Sequence, residues 1–269
     1  MNGYIGYFDI LGYRSFLENN PQEGVQKRVL GLIADVKKSL PEAMKKYRSK
    51  LSEAAEEIIG KTNWLVFSDT IVFAIEEPDN KKDELLYFPI AIITAGDLMT
   101  RMFNDGLPLR GALHHGQYNF LENSMAGTGV VQSINAGKDL DLSACVLTEE
   151  LAKRAGELIE ATQPDEADRN FWDQILCDYS VPISGDKWAK RKCLMWFDLN
   201  HIENLRGDGI MQALSRLDYR QYVLLSFWAH NKGISDTKTV RKLDETERFI
   251  RYCVFRRDEN QRANHRSKP

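Results

Sequence analysis

Tyr4-Ile5-Gly6-Tyr7-Phe8-Asp9-Ile10-Leu11-Gly12 and Trp64-Leu65-Val66-Phe67-Ser68-Asp69-Thr70-Ile71-Val72-Phe73 decide how this chain of 269 residues is read. Both stretches are rich in the β-branched and aromatic side chains of buried strands, and each carries one aspartate. An ionised carboxylate in such surroundings is costly unless something pairs with it. For two carboxylates the cheapest partner is a divalent metal ion. The first run stops at Gly12, where the chain must turn; the second reads as a hairpin with Asp69 at or beside its turn.

Working outward, Val25, Val29, Leu32, Ile33, Val36 and Leu40 recur at helical spacing. Pro41 is expected to start a new helical turn rather than continue the old one, with more helix from Leu51 to Ile59. Beyond the hairpin the pattern predicts a helix over 84–103, bent near Pro89, and a strand over 107–118. A glycine-punctuated helix over 127–140 and a short strand over 144–147 follow, the strand entering a helix at Glu149. The order β-α-β-β-α-β-α-β-α describes an α+β protein, one mixed sheet with helices packed on it.

After about residue 160 the pattern changes. Asp165-Glu166-Ala167-Asp168 reads as a polar connector, Cys193 to Phe197 as a strand, and 211–228 and 240–254 as helices. The basic stretch from Arg256 to Pro269 is expected to be a solvated, frayed end. Two units result, residues 1–160 and a helix-rich C-terminal extension, 161–269, packed on the first. Trp172, Trp188 and Trp196 are read as core.

The formal net charge of -3 leaves no electrostatic footprint for general nucleic-acid binding, so an anionic ligand must be held by a local site. Cys145, Cys177, Cys193 and Cys253 are scattered among apolar neighbours without a C-x-x-C pair and read as buried thiols of a reducing compartment. No signal-peptide pattern opens the chain, and the longest apolar stretch, 85–93, is far shorter than the ~20 residues of a membrane span. A cytoplasmic protein is expected.

Two further features complete a possible site. Leu107-Pro108-Leu109-Arg110-Gly111-Ala112-Leu113-His114-His115-Gly116 places an arginine inside a strand beside a glycine that allows close backbone approach. Gly127-Thr128-Gly129 opens a helix with backbone N–H groups free to meet an anion. If Asp9 and Asp69 converge, two cations shared between them can activate an attacking oxygen and neutralise a leaving diphosphate, and Arg110 offers a fork for phosphate oxygens. His114 and His115 are adjacent on a strand, point to opposite faces, and cannot both serve one site.

In this order and spacing, Phe8-Asp9-Ile10-Leu11-Gly12, Phe67-Ser68-Asp69-Thr70-Ile71-Val72, the strand around Arg110 and the helix over 127–140 resemble the catalytic domain of class III nucleotidyl cyclases. More narrowly they resemble the bacterial pyrimidine cyclases of Pycsar antiphage systems, over roughly residues 3–155. The resemblance implies a ferredoxin-like sheet with packed helices, and a homodimer with active sites at the subunit interface. It implies two divalent metal ions, Mn2+ or Mg2+, held by Asp9, Asp69 and the carbonyl of Ile10, with Asp9, Asp69 and Arg110 catalytic. Phe8, Asn63, Arg110, Asn135 and Lys138 take the nucleotide-binding positions. The reaction implied is attack of a ribose 3′-hydroxyl on the α-phosphate of a pyrimidine nucleoside triphosphate, UTP slightly before CTP, to give the cyclic nucleotide for an effector protein.

The chain also departs from that pattern. Purine-specific relatives carry a lysine six residues before the second aspartate, where this chain has Asn63; a shift of two would reach Lys61. They also carry an asparagine followed four residues on by an arginine, where Asn135 is followed by Asp139 with Lys138 adjacent. Lys138 or Arg110 alone is left to supply the transition-state cation. Three other readings stand beside this one: a purine nucleotide cyclase, a cyclase-like module that binds a nucleotide and signals without turnover, and a structural or interaction protein whose aspartates merely cap turns.

Overall fold

The structure is a computed structural model and describes residues 1–47, 57–78, 84–122, 124–161, 172–196, 219–233 and 236–266. In chain order the elements are β1 (Asn2–Ile10), α1 (Tyr13–Glu18), α2 (Gln22–Tyr47), β2 (Asn63–Phe67), β3 (Thr70–Glu76) and α3 (Glu84–Asn104). There follow β4 (Leu109–Gln117), β5 (Asn119–Leu121), β6 (Ser124–Ala126), α4 (Thr128–Gly137), β7 (Cys145–Leu147) and α5 (Glu149–Ala161). The chain ends with β8 (Leu176–Ile183), β9 (Lys187–Leu194), α6 (Tyr219–Trp228) and α7 (Thr237–Arg266).

Seven strands form one sheet in the order β2-β3-β1-β4-β7-β9-β8. Its first four strands, connected β-α-β-β-α-β and antiparallel to every neighbour, make the ferredoxin-like split βαβ arrangement. β7 then joins β4 in parallel, and the hairpin β8–β9 extends the sheet antiparallel to β7. The sheet therefore runs on across residue 160, the division expected from composition.

The two-residue period of β1 sorts its side chains between two cores. Tyr4, Phe8 and Ile10 join Val29 and Val36 of α2, Met99 of α3 and Phe73 of β3 in the larger core. Ile5 and Tyr7 face the other way, closing a smaller core with Val72, Ala74 and Val130 of α4. Asp9 is next in the Ile5–Tyr7 series and so belongs to the face that α4 covers. That helix lies close on the sheet: a Cβ at Gly137 would stand 2.9 Å from the carbonyl carbon of Gly111.

Gly111 is a tighter point still. A Cβ there would lie 2.2 Å from the Tyr7 carbonyl oxygen and 2.5 Å from the Phe8 ring. Backbone cannot step aside as the end of a flexible side chain can, so Gly111→Ala is expected to cost about 3 kcal/mol, the upper end of ordinary overpacking. A urea titration checks it as a lower midpoint at unchanged slope.

Several expectations need correction. α2 runs unbroken through Pro41, because the buried stripe of Val25, Val29, Ile33, Val36 and Leu40 outweighs the one hydrogen bond that proline forgoes. The basic end continues as helix to Arg266, pinned where Asn260 donates to the Asp173 carbonyl at 2.8 Å. Trp196 is buried against Phe103 and Trp172 stacks on Phe88, but Trp188, paired with Pro182 on the outer hairpin, is 53% exposed. The strand expected over 193–197 lies earlier, over Lys187–Leu194. All four cysteines are free and buried. The expected connector at 165–168, the helix segment over 51–56 and the start of the helix over 211–218 lie outside the described residues.

Candidate active site

β1 ends between two neighbours, and its register places Asp9 opposite Thr70 on β3 and opposite Arg110 on β4. The β2–β3 turn is tied to the same point, since the Ile10 amide donates to the Asp69 carbonyl at 2.9 Å. Ser68 makes that turn possible by taking a left-handed conformation, with φ of 55°. On the far side the Leu11 amide donates to the Pro108 carbonyl at 2.8 Å. Gly12, at φ 77°, then swings the chain into α1. Two aspartates sixty residues apart thus reach one end of one strand.

Arg110 closes the group. Its Nε donates to Asp9 Oδ2 at 2.7 Å and its Nη1 to the Leu140 carbonyl at 3.1 Å, which fixes the plane of the guanidinium. Both partners of the ion pair are largely buried. Burial pushes the Asp9 carboxyl above its ordinary range; Arg110 pulls it back down and the nearby charge of Asp69 pushes it up again. Tyr7, two residues back on the same face, is raised by burial first and then by Asp9, with Thr70 bonded to its hydroxyl. Tyr13 is raised by burial and then by Asp69. Arg110 is in contact with Asp9 alone of the two carboxylates.

The remaining residues singled out from sequence fall into three places. Phe8 is fully buried, stacked on Phe73 in the larger core, so its side chain is turned away from Asp9 by the strand's alternation. Ile10 is buried likewise and offers the site only its backbone. Asn63 opens β2 in register with Ala74, which pairs with Ile5. That is four residues along the sheet from Asp9, roughly 13 Å at strand rise. It sits instead beside the Tyr118 hydroxyl. Asn135 and Lys138 are exposed at the C-terminal end of α4, whose last turn rests on β4 next to Arg110. His114 pairs with Thr148 at 2.9 Å while His115 packs edge-on against Tyr4, one on each face of the sheet.

Two contributors had no sequence signal. The Leu140 carbonyl lies past the end of α4 at Gly137, in residues the sequence pattern assigns to the helix itself. Lys242, half buried on α7, lies within electrostatic reach of Asp9, Arg110 and Asp141 although more than a hundred residues follow Arg110 before it.

Among the described residues no three or more His, Cys, Asp or Glu side chains gather around one point. The groups that do come near one another are oxygen donors, the like-charged carboxylates of Asp9 and Asp69 beside the Ile10 backbone. That set fits a hard divalent cation that keeps part of its water shell.

No model of a known protein family matches the sequence, and no curated protein matches it. Among solved structures the chain is similar to the dimeric guanylyl cyclase domain of the RhoGC fusion protein from Blastocladiella emersonii. That likeness has 10% identity and a TM-score of 0.38, over 72% of this chain and 95% of that one. The guanylate cyclase domain of RhGC from Catenaria anguillulae, in complex with GTP, gives 10% identity and a TM-score of 0.38 over 72% and 95%. The guanylyl cyclase Cya2 gives 13% identity and a TM-score of 0.33 over 72% and 93%.

Proposed function

We propose that this chain is a homodimeric nucleotidyl cyclase of the class III type that converts a pyrimidine nucleoside triphosphate, UTP before CTP, into the 3′,5′-cyclic monophosphate and diphosphate. The observation that carries the reading is the convergence of Asp9, Asp69 and Arg110 at one end of β1, joined by the 2.9 Å bond from Ile10 to Asp69 and the 2.7 Å bond from Arg110 to Asp9.

In the reaction the O3′–Pα bond forms, the bond from Pα to diphosphate breaks, and the 3′-hydroxyl proton leaves to water. Asp9 and Asp69, with the Ile10 carbonyl, would hold Mg2+ or Mn2+, which supplies acidification of the hydroxyl and charge neutralisation of diphosphate when bound. Arg110 exchanges Asp9 for a phosphate oxygen through Nε while the Leu140 carbonyl keeps Nη1 in place, so its fork is already oriented when charge builds on the phosphate. Asn135 and Lys138 stand at the end of α4 beside it as further donors. Asn63 stands where purine-specific relatives carry a lysine, and the loss of that lysine argues against an ordinary adenylate cyclase.

Phe67 is 75% exposed two residues before Asp69, at the end of the edge strand β2. An exposed phenyl beside the acidic turn supports a subunit interface at the site. No helix of the described residues is long and apolar enough to cross a membrane. A cytoplasmic enzyme whose product signals to an effector in antiphage defence follows from the sequence resemblance.

Purified protein supplied with each of the four triphosphates and Mn2+ tests this. Cyclic UMP or cyclic CMP with equimolar diphosphate is the expected outcome. Only cyclic AMP or cyclic GMP would overturn the pyrimidine assignment, and nucleotide binding without diphosphate release would overturn turnover itself.

A further inference from the structure

The C-terminal helix is built into the wall of this site. Leu140 gives its carbonyl to Arg110, and the loop that follows is held from the opposite side by one stretch of α7. Arg241 Nε lies 3.7 Å from Asp141 Oδ2, and the Ser143 amide donates to Thr246 Oγ1 at 2.8 Å. Ser143 in turn donates through its hydroxyl to the Leu109 carbonyl at 2.7 Å, one residue before Arg110. Lys242 sits between Arg241 and Thr246 in sequence, on the helical turn so fastened.

Lys242 is half buried, and the charges around it are Arg110, Asp141, Asp9 and Asp236. Among the described residues it has no ion pair of its own within 4 Å, whereas Arg241 beside it is committed to Asp141 and Asp186. A partly desolvated ammonium with three carboxylates near it but none in contact is committed to no one of them. It is well arranged to meet an anion carrying several charges, which would answer Lys242 and Arg110 together.

We propose that Lys242 is a phosphate-binding cation of the Asp9–Asp69–Arg110 site, so that the C-terminal helix completes the catalytic centre. The proposal rests on the cyclase reading for its ligand, a nucleoside triphosphate. It assigns to the region beyond residue 160 a direct part in substrate binding.

The test uses the full chain with Mg2+ and α,β-methylene analogues of UTP and CTP, which bind without turnover, read by titration calorimetry beside free uridine and cytidine. Lys242→Met keeps the aliphatic stem and removes the charge; Lys242→Arg keeps the charge. Loss of one charge-assisted contact is expected to weaken triphosphate binding about tenfold to a hundredfold in Lys242→Met, with nucleoside binding unchanged and most of the loss restored in Lys242→Arg. Equal triphosphate affinity in Lys242→Met and wild type would overturn the proposal. So would equal losses for nucleoside and triphosphate, failure of Lys242→Arg to recover affinity, or a wild type that binds neither analogue. Melting curves identify a variant that has lost its fold; if Lys242→Met is one, Lys242→Gln is read in its place. The expected affinity pattern in a protein that makes no cyclic nucleotide would sink the cyclase reading and leave Lys242 as a phosphate ligand.

Discussion

Asp9→Asn and Asp69→Asn are each expected to lower cyclic nucleotide formation by about a thousandfold, at the upper end of what loss of one stabilising group at a reacting phosphate does. Each change removes a charge and almost no volume. The cost to folding should be small, for reasons that differ between the two. Asp69 lies in a partly exposed turn, and its structural bond to Ile10 is made by the backbone carbonyl, which asparagine retains. Burial pushes the Asp9 carboxyl above its ordinary range, so removing its charge relieves part of the cost of keeping it there. For such a group the favourable contribution is present at low pH and lost as pH rises through the raised value. A neutral asparagine escapes that loss, while Arg110 keeps the Leu140 carbonyl. Melting temperatures near that of wild type should therefore accompany the activity loss. A variant at either position that keeps more than a tenth of wild-type turnover would show that the pair is structural.

The acidic pair was legible because strands announce themselves locally. The β-branched and aromatic content of Tyr4, Ile5, Tyr7, Phe8 and Ile10 is visible in one short window, and so is the hairpin around Ser68 and Asp69. What joined them was not visible. Asp9 meets Arg110 because β1 and β4 pair in a register set by bonds between residues about a hundred positions apart. The same register turns Phe8 into the core, against a role as a nucleotide contact.

The last two sheet strands were hidden by their own chemistry. β8 contains Pro182 at the sheet edge, and β9 reads Lys187-Trp188-Ala189-Lys190-Arg191-Lys192, charges that suit an outer hairpin and mask the β pattern. β5 and β6 have three residues each, too short to show alternation. Lys242 is one of two lysines on a long, polar helix, and only the tertiary contacts of Thr246 and Arg241 set it apart. Local pattern thus located the two strands that carry the acids, and long-range pairing chose what surrounds them.

Stability is expected to rise with pH above neutrality, and one side chain should account for much of the rise. Lys232 is 2% exposed, with Nζ donating to the Gly106 carbonyl at 2.5 Å and the Ser226 carbonyl at 3.2 Å. Burial pulls its ammonium down to about 7, with Asp105 only partly offsetting that. The unfolded chain holds the same proton up to the ordinary lysine range. Between those limits unfolding takes up a proton, so raising pH favours the folded state; below about 7 the penalty for burying the charge is complete and constant. At ~1.4 kcal/mol per unit, the gain from pH 7 to 9.5 is about 3 kcal/mol. Lys232→Met removes the titration and keeps the stem that lies against Gly12. It also leaves two carbonyls without their donor, so the variant is expected to be less stable than wild type at high pH and closer to it at pH 6. Urea titrations at half-unit steps read the difference: a gap widening by about 3 kcal/mol is the expected result. Parallel curves would mean that water or a rearranged partner keeps Lys232 charged. The clamp matters beyond stability because it fastens the end of α6 where β1 terminates. Asn20 donates to the His230 carbonyl at 2.6 Å and the Gly233 amide to Ser15 Oγ at 3.3 Å, so the turn two residues past Ile10 is held in part by this buried amine.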